Sequence, residues 1–143
     1  MSKNDDAREL KATKATKTAA PTLPYQPPTP QHPAPPIALI GCGGIARNHL
    51  AAYRDKGYPV AVLCDIHIEA AEMLRDEFFP QAEVTNDPDS VFANSNIQVV
   101  DLATHPDHRL GHIRQALESG KHVLCQKPFV TDLEVGRELV ELA

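Results

Sequence analysis

The sequence has little cysteine and no long hydrophobic segment, and both shortages limit what the protein can be. Its three cysteines, Cys42, Cys64 and Cys125, show no CxxC spacing and stand at or just beyond the ends of apolar runs. This placement is typical of small buried residues in a reduced, intracellular protein. No segment approaches the roughly 18 apolar residues of a membrane span, and no apolar stretch follows the polar N-terminus as in a signal peptide. We therefore expect a cytoplasmic protein that makes no membrane contact.

Several catalytic and metal-binding signatures are also missing. The chain has no G-x-S-x-G elbow and no Walker sequence, so hydrolase and phosphotransferase functions have no support. The densest cluster of candidate metal ligands is His105, Asp107, His108 and His112, and it lacks both an H-E-x-x-H glutamate and a distant ligand set. Exposed helix histidines explain the cluster more simply, and we expect no metal site. His49 is predicted to be a packed or capping residue.

Charge and proline content divide the 143 residues into two parts. Residues 1–36 carry five Lys/Arg and three Asp/Glu, which leaves nine and sixteen in the remainder. The folded part is therefore acidic, and no nucleic-acid partner is expected. Eight of the thirteen prolines lie between Pro21 and Pro36, in a region that cannot bury enough apolar surface to offset its ordering entropy. Residues 1–33 are predicted to be a disordered proline-rich arm. The alternative is a strap that lies on the domain through Leu23 and Tyr25.

From Ile37 onward, short apolar runs alternate with amphipathic segments, the pattern of a parallel sheet with helical crossovers. The predicted strands are residues 37–40, 60–64, 83–85, 97–103 and 122–125. The predicted helices are residues 45–56 and 68–78, a short helix from Asp87-Pro88, residues 107–119, and a last helix that runs to the chain end. The sequence thus predicts an α/β fold, a Rossmann-type doubly wound parallel sheet over residues 34–143.

The last strand and the last helix carry two further expectations. The strand is nearly continuous in apolar residues, which predicts cover on both faces. Thr131 and Glu134 form a capping box for the helix. Because the helix reaches Ala143 without a C-cap, we expect a domain truncated in this helix, with no C-terminal substrate domain.

A glycine-rich turn follows the first predicted strand. Its sequence, Gly41-Cys42-Gly43-Gly44-Ile45-Ala46, matches the G-x-G-x-x-G/A dinucleotide fingerprint between a strand and a helix. Gly41 permits the tight turn, and Gly43 lets a pyrophosphate approach the backbone at the positive end of the helix. Ala46 is small enough for the helix to pack on the strand. These six residues are the predicted phosphate-binding segment.

Asp65 ends the second predicted strand, about twenty residues after the turn, as in dinucleotide-binding domains. A carboxylate at this point accepts hydrogen bonds from both ribose hydroxyls and repels a 2'-phosphate. The sequence therefore favours NAD(H) over NADP(H) as the cofactor. The alternative is that Asp65 is the N-cap of the second helix.

The segment Gly120–Phe129 reads GKHVLCQKPF. Together with the glycine turn and Ala103–Pro106, it resembles the N-terminal domain of the Gfo/Idh/MocA family, which includes glucose-fructose oxidoreductase and inositol dehydrogenase. The resemblance covers Ile37–Ala143. It implies a Rossmann domain followed by a larger α/β domain that supplies most of the substrate pocket and the oligomer contacts.

The resemblance also implies roles for particular residues. The family ends its fifth strand in a Glu-Lys-Pro motif, so Lys127 is expected near the nicotinamide, where it assists hydride and proton transfer at a sugar or cyclitol hydroxyl. Gln126 replaces the glutamate, which keeps a hydrogen-bonding side chain but removes a charge. Thr104 is expected to face the cofactor with Gln126. Arg109 stands where many members have a histidine, and no role is carried onto it.

The predicted function is that of the nucleotide-binding domain of an NAD(P)-dependent oxidoreductase. Its expected partner is a small-molecule hydroxyl substrate in the full-length form, with a homo-oligomer if a C-terminal domain exists. The present chain alone is expected to be inactive. The alternative is a non-catalytic NAD-binding module or a truncated remnant.

Overall fold

The computed structural model describes residues 34–143, so the predicted arm and the strap alternative lie outside the described residues. The strands of this part are β1 (Ile37–Ile40), β2 (Val60–Cys64), β3 (Glu83–Thr85), β4 (Val99–Leu102) and β5 (His122–Cys125). Its helices are α1 (Gly44–Lys56), α2 (Ile68–Phe78), α3 (Pro88–Ala93), α4 (Pro106–Glu118) and α5 (Leu133–Leu142). Among these residues, no helix is long and apolar enough to cross a membrane.

The five strands form one parallel sheet in the order β3-β2-β1-β4-β5. The predicted doubly wound α/β fold is confirmed. The chain runs outward from β1 through β2 to β3, then crosses back to β4 on the other side of β1. Ligands of such sheets bind where this direction changes, beyond the carboxyl ends of the strands. The fold therefore places the functional edge at the ends of β1, β2 and β4.

Alternate strand residues point into two separate cores, as the period of a β-strand requires. Leu39 and Leu63 pack with Ala46 and Leu50 beneath α1 and α2. On the opposite face, residues such as Val100 belong to the core beneath α3, α4 and α5. All four residues of β1 are buried, because this central strand is covered on both faces.

Several predicted element boundaries are wrong: α1 begins one residue earlier than predicted, α4 begins and ends one residue earlier, and the cap of α5 and the length of β4 also differ. The N-cap of α5 is Asp132 and not Thr131, since the Asp132 carboxylate accepts hydrogen bonds from the backbone N–H groups of Glu134 (2.8 Å) and Val135 (3.3 Å). One carboxylate oxygen of Asp132 thus accepts hydrogen bonds from two N–H groups that have no partner within the helix, which is the role of an N-cap side chain. Strand β4 is also shorter than predicted, because its ladder partners extend only over Val99–Leu102.

The expectation that β5 is covered on both faces is wrong as well. Val123 and Cys125 pack on the core beneath α4 and α5, but Leu124 on the other face remains 49% exposed. Helices α1 and α2 lie over β1 and β2, so within residues 34–143 this face of β5 is only partly covered.

Of the glycines in the turn, Gly41 should be the one whose substitution destabilises the fold most. Its φ is +98°, and a Cβ would lie 2.8 Å from the backbone nitrogen of Thr104. We predict that Gly41→Ala lowers the free energy of unfolding by about 2–4 kcal/mol through left-handed strain and overpacking. Denaturant unfolding measures this change.

Gly111→Ala is the matched control. A Cβ on Gly111, an exposed position of α4, meets no atom within 4 Å, so this change should stabilise the domain by about 0.5–1 kcal/mol. Equal effects of the two substitutions would show that the close approach of Gly41 to Thr104 is not a constraint.

Candidate functional site

A cavity of about 520 Å³ opens at the carboxyl ends of β1, β2 and β4, a volume typical of small-molecule sites. It is lined by Gly41 and Gly43 of the glycine turn, by residues 64–67 after β2, and by Thr104 after β4. His108 and His112 of α4 form part of its far wall. The cavity therefore lies at the point where the winding of the sheet changes direction.

The glycine turn presents bare backbone to this cavity. Gly43 is the N-cap of α1, no side chain caps the helix, and its first turn contains no acidic residue. A Cβ on Gly43 would meet no protein atom within 4 Å. The first N–H groups of α1 are thus available beside open space, an arrangement that favours an anion such as a phosphate.

Asp65 connects the glycine turn to the end of β2. One carboxylate oxygen accepts a hydrogen bond from the backbone N–H of Cys42 (2.7 Å), and the other accepts one from the backbone N–H of His67 (2.8 Å). His67, and not Asp65, is the N-cap of α2, so the alternative reading of Asp65 is wrong. Because a carboxylate has about four acceptor sites, two remain for a ligand in the cavity that Asp65 lines.

The other predicted residues of the turn lie around the cavity rather than in its wall. Ala46 is fully buried beneath the turn, where it packs α1 on the sheet as expected. Gly44 and Ile45 are exposed on the first turn of α1. The Cys42 side chain is also buried, and its thiol points to the carbonyl oxygen of Cys64 (3.7 Å).

The Cys42 thiol is a packing group rather than a nucleophile. Burial raises its pKa to about 12, and the charges of Asp65 and Cys64 add to the effect. A thiol with this pKa stays protonated at neutral pH, and the thiolate is the reactive form. The contribution of Cys42 to the site is therefore its backbone N–H.

Gln126 belongs to a chain of partly buried polar groups that runs through α1 to the buried Asp101 of β4. Its side-chain nitrogen lies 2.8 Å from Nε2 of His49, and Nδ1 of His49 lies 2.7 Å from a carboxylate oxygen of Asp101. Tyr53 donates its hydroxyl hydrogen to the same oxygen (2.7 Å). Burial raises the pKa of Tyr53, and the hydrogen bond to Asp101 raises it further. His49 is thus more than a packed residue, because it links Gln126 to a buried charge.

Asp101 is the residue of this chain that sequence reasoning missed. It lies in β4 between Val100 and Leu102 and is completely buried. The available signal was a single carboxylate inside an apolar strand, which is costly unless hydrogen-bonded. Its partners His49 and Tyr53 are about fifty residues away in sequence, so the sequence alone could not identify them.

Arg109 is a second missed residue, and it braces the loops that follow β4 and β5. Its guanidinium is buried and donates to the backbone carbonyl oxygens of Thr104, Gln126 and Pro128. Lys127 lies between two of these acceptors, with its own side chain exposed, and the Lys127–Pro128 peptide bond is cis. The Lys127 loop therefore depends on a residue of α4.

The cluster of histidines around α4 is only partly exposed. His112 is half-buried, with its ring centroid 6.0 Å from that of Phe92, so the expectation of exposed histidines is wrong at this position. Burial lowers the pKa of His112, and the proximity of His108 lowers it further. Within residues 34–143, no group of three His, Cys, Asp or Glu side chains is arranged to hold a metal ion.

Thr104 is the remaining predicted site residue. It lines the cavity, and its hydroxyl oxygen is buried without a hydrogen-bond partner among the described residues. Gln126 and Lys127 lie beyond it, next to the ends of β4 and β5. The site thus has a formed cavity on the β2 side of the glycine turn and a braced loop on the β5 side.

Comparison with known proteins matches residues 36–143 to the family GFO_IDH_MocA, described as "Oxidoreductase family, NAD-binding Rossmann fold". An inositol 2-dehydrogenase of Rhodococcus jostii (strain RHA1) is 36% identical over 107 residues, which are 73% of this chain and 29% of the relative. A D-apiose dehydrogenase of Paraburkholderia graminis is 35% identical over 105 residues, 72% of this chain and 28% of the relative. The chain thus spans less than a third of the length of these relatives.

Solved structures show the same similarity. The myo-inositol dehydrogenase from Lactobacillus casei, in complex with NAD(H) and myo-inositol, has a TM-score of 0.71 at 26% identity, over 76% of this chain and 33% of that chain. An oxidoreductase from Agrobacterium radiobacter, in complex with NAD+, L-tartaric acid and magnesium, has a TM-score of 0.70 at 30% identity, over 75% of this chain and 31% of that chain.

The polar chain that runs from Gln126 through His49 to Asp101 and Tyr53 predicts unequal effects of two tyrosine substitutions. Tyr53→Phe removes one of the two hydrogen bonds to the Asp101 oxygen. It should lower the free energy of unfolding by about 1.5–3 kcal/mol, because the bond lost is to a buried charge. The rings of Tyr53 and Tyr58 pack edge to face, 6.3 Å apart, and no hydrogen bond of the Tyr58 hydroxyl is found within the described residues. Tyr58→Phe should change stability by about 0.5 kcal/mol or less.

Denaturant unfolding of both variants measures this difference, provided that the free energy of unfolding falls with denaturant concentration at the same slope in both. If the two substitutions destabilise the protein equally, the Tyr53 hydroxyl has no special part in stabilising Asp101.

Proposed function

The chain belongs to the Gfo/Idh/MocA oxidoreductase family, and from that premise we propose that it is the NAD-binding part of an enzyme that oxidises a sugar, cyclitol or related hydroxyl compound. The observation that carries the proposal is the Asp65 carboxylate, which is fixed by backbone N–H groups and lines a cavity beside the uncapped end of α1. The two features together fit the two ends of an adenosine diphosphate group.

The diphosphate binds at the glycine turn in this proposal. Its charge is balanced by the first N–H groups of α1 and by the helix dipole, which no acidic side chain of the first turn opposes. Gly43 leaves room for the oxygens, because a side chain there would project into the cavity that the residue lines. The neighbouring Gly44 and Ile45 take part through their backbone N–H groups.

The adenosine ribose binds at Asp65. The carboxylate accepts hydrogen bonds from the 2' and 3' hydroxyls with the acceptor sites that Cys42 and His67 leave free. Because both oxygens are already held by the backbone, the carboxylate cannot turn away from a 2'-phosphate. Two like charges at close range repel strongly, and this supports NAD over NADP.

Lys127 and its neighbours serve the nicotinamide half. Bound NAD supplies the hydride acceptor of the reaction. Lys127 donates a hydrogen bond to the reacting hydroxyl and stabilises the developing alkoxide, while Gln126 and Thr104 line the cofactor. The substrate carbon gives its hydride to the bound NAD, and the hydroxyl proton passes to a base supplied by the rest of the full-length enzyme. Support comes from the exposed position of Lys127 at the carboxyl end of the sheet and from the partly buried hydrogen bonds of Gln126 and Arg109 that hold its loop.

The class of substrate is supported by the relatives. The two matched enzymes are named for inositol and for D-apiose, and the matched structures hold myo-inositol or L-tartaric acid. All are small molecules with several hydroxyl groups. Since this chain spans less than a third of the relatives' length, we propose that the rest of the substrate pocket comes from a further part of the full-length enzyme.

Dinucleotide binding predicts that a side chain at Gly43 blocks the diphosphate. Gly43→Val should weaken NADH binding at least about tenfold, the equivalent of about 1.4 kcal/mol, as measured by calorimetry. Stability should hardly change, because a Cβ at Gly43 meets no protein atom within 4 Å. Gly111→Val, at a position that is exposed and does not line the cavity, is the control and should bind NADH like the unmodified chain. Unchanged binding in Gly43→Val would remove the glycine turn from the proposal.

Cofactor choice gives a separate prediction. The unmodified chain should bind NADH at least about tenfold more tightly than NADPH because of the fixed Asp65 charge. Asp65→Asn should reduce this ratio, whatever it does to both affinities. Asp132→Asn changes another backbone-bonded carboxylate, far along the chain at α5, and should leave the ratio as it was. A ratio that survives Asp65→Asn would assign the discrimination to another group.

A further inference from the structure

Arg109 is a buried cation whose partners are backbone carbonyl groups. The residue is only 2% exposed, and no salt bridge joins it to a carboxylate among the residues that the structure describes. Burial of a charge is costly unless its hydrogen bonds are made. Nη1 donates to the carbonyl oxygens of Gln126 and Pro128 (2.7 Å to Pro128), and Nη2 donates to that of Thr104. Three carbonyl groups from two backbone segments, the one after β4 and the one after β5, are thus tied to one planar group.

Two of the three acceptors flank Lys127 in the chain. Gln126 and Pro128 are its two neighbours in the chain, and both direct their carbonyl groups at the same nitrogen of Arg109. Thr104 follows β4, the strand next to β5 in the sheet. The guanidinium therefore fixes the Lys127 backbone relative to the end of β4, while the Lys127 side chain stays free at the surface.

The same segment is held from the other face of the sheet by a different contact. The Gln126 side chain binds His49 of α1, whereas Arg109 reaches the Gln126 main chain from α4. Rotation of the segment about its own axis would break one contact or the other. The position of Lys127 is thus determined by two residues that do not themselves face the cavity.

We propose that Arg109 is a positioning residue, which sets the place of Lys127 at the nicotinamide half of the dinucleotide without touching cofactor or substrate. The proposal rests on the proposed function, because that function gives Lys127 its role. It goes further because it assigns the placement of the Lys127 backbone to the guanidinium of Arg109, a residue of α4.

The planar shape of the guanidinium is what this role requires. An arginine presents its donors in a rigid fork, whereas a lysine is a compact point charge on a flexible stem. Arg109→Lys keeps the charge and loses the fork, so it separates the two properties. Arg109→Gln removes the charge as well. Arg114→Gln is the matched control, since Arg114 lies on the same helix, is exposed and pairs with Glu138.

Two ligands distinguish positioning from general loosening of the fold. AMP occupies only the adenosine side of the site, and NADH occupies both halves. Calorimetry on the full chain should find NADH affinity about tenfold lower in Arg109→Lys and in Arg109→Gln, with AMP affinity changed less than about twofold. Arg114→Gln should bind both ligands like the unmodified chain. Loss of both affinities in proportion, or of neither, overturns the proposal.

A double substitution tests whether Arg109 acts through Lys127. Lys127→Ala alone should weaken NADH binding and spare AMP. Combined with Arg109→Lys, it should weaken NADH no further, because residues that act as one unit are not additive. Additive losses would mean that Arg109 acts independently of Lys127, either on the cofactor itself or through Thr104 and Gln126, and they overturn the proposal.

Nuclear magnetic resonance gives a measurement that begins with the unmodified chain. The backbone amide resonance of Lys127 should shift on addition of NADH and should not shift on addition of AMP. Arg109→Lys should reduce that shift if it folds. Equal response of Lys127 to both ligands overturns the positioning proposal while leaving nucleotide binding intact. A chain that binds neither ligand overturns the proposed function and this proposal with it.

Discussion

The hydrogen bond from the Cys42 N–H to the Asp65 carboxylate holds the glycine turn against the end of β2, and the rest of the site depends on it. The turn must leave β1 sharply, which the positive φ of Gly41 allows. It must also pass close to the backbone after β4, where any side chain on Gly41 would collide with Thr104. One carboxylate and one missing side chain thus fix three strand ends relative to each other. The open space beside Gly43 is a result of that arrangement.

Much of the fold could be predicted because local signals agreed with tertiary packing. Strands β1, β2, β3 and β5 and helix α2 have the predicted bounds. At β1 and β2 the signal is plain, because a proline precedes each apolar run and Gly41 or Asp65 follows it. The α5 cap was misassigned because Thr131 and Asp132 both fit a cap, and only the structure shows which carboxylate or hydroxyl reaches the helix. Cover on β5 could not be predicted, because it depends on where α1 and α2 lie and not on the residues of β5.

The residues of the site also fall into those that the sequence could predict and those that it could not. Gly41, Gly43 and Asp65, which line the cavity, could be predicted from the sequence, because a strand, a turn and a helix in a fixed order place such residues together. Thr104, which also lines it, was expected there only from the family resemblance. Asp101 and Arg109 could not, since each acts through partners that are remote in sequence or that are backbone atoms. A buried charge in an apolar strand and an arginine at the start of a helix are visible signals. Their meaning depends on hydrogen bonds that form only after the sheet is assembled.

The contact between Gln126 and His49 has a consequence for the direction of the hydrogen bonds in the polar chain. The amide nitrogen of Gln126 donates, so Nε2 of the imidazole accepts, and Nδ1 donates to one carboxylate oxygen of Asp101. The other carboxylate oxygen of Asp101 is buried without a partner among the described residues. An ionised carboxylate in place of the Gln126 amide would have no hydrogen to donate to Nε2. The side chain at position 126 therefore sets the direction of the hydrogen bonds that run from the end of β5 to the middle of β4.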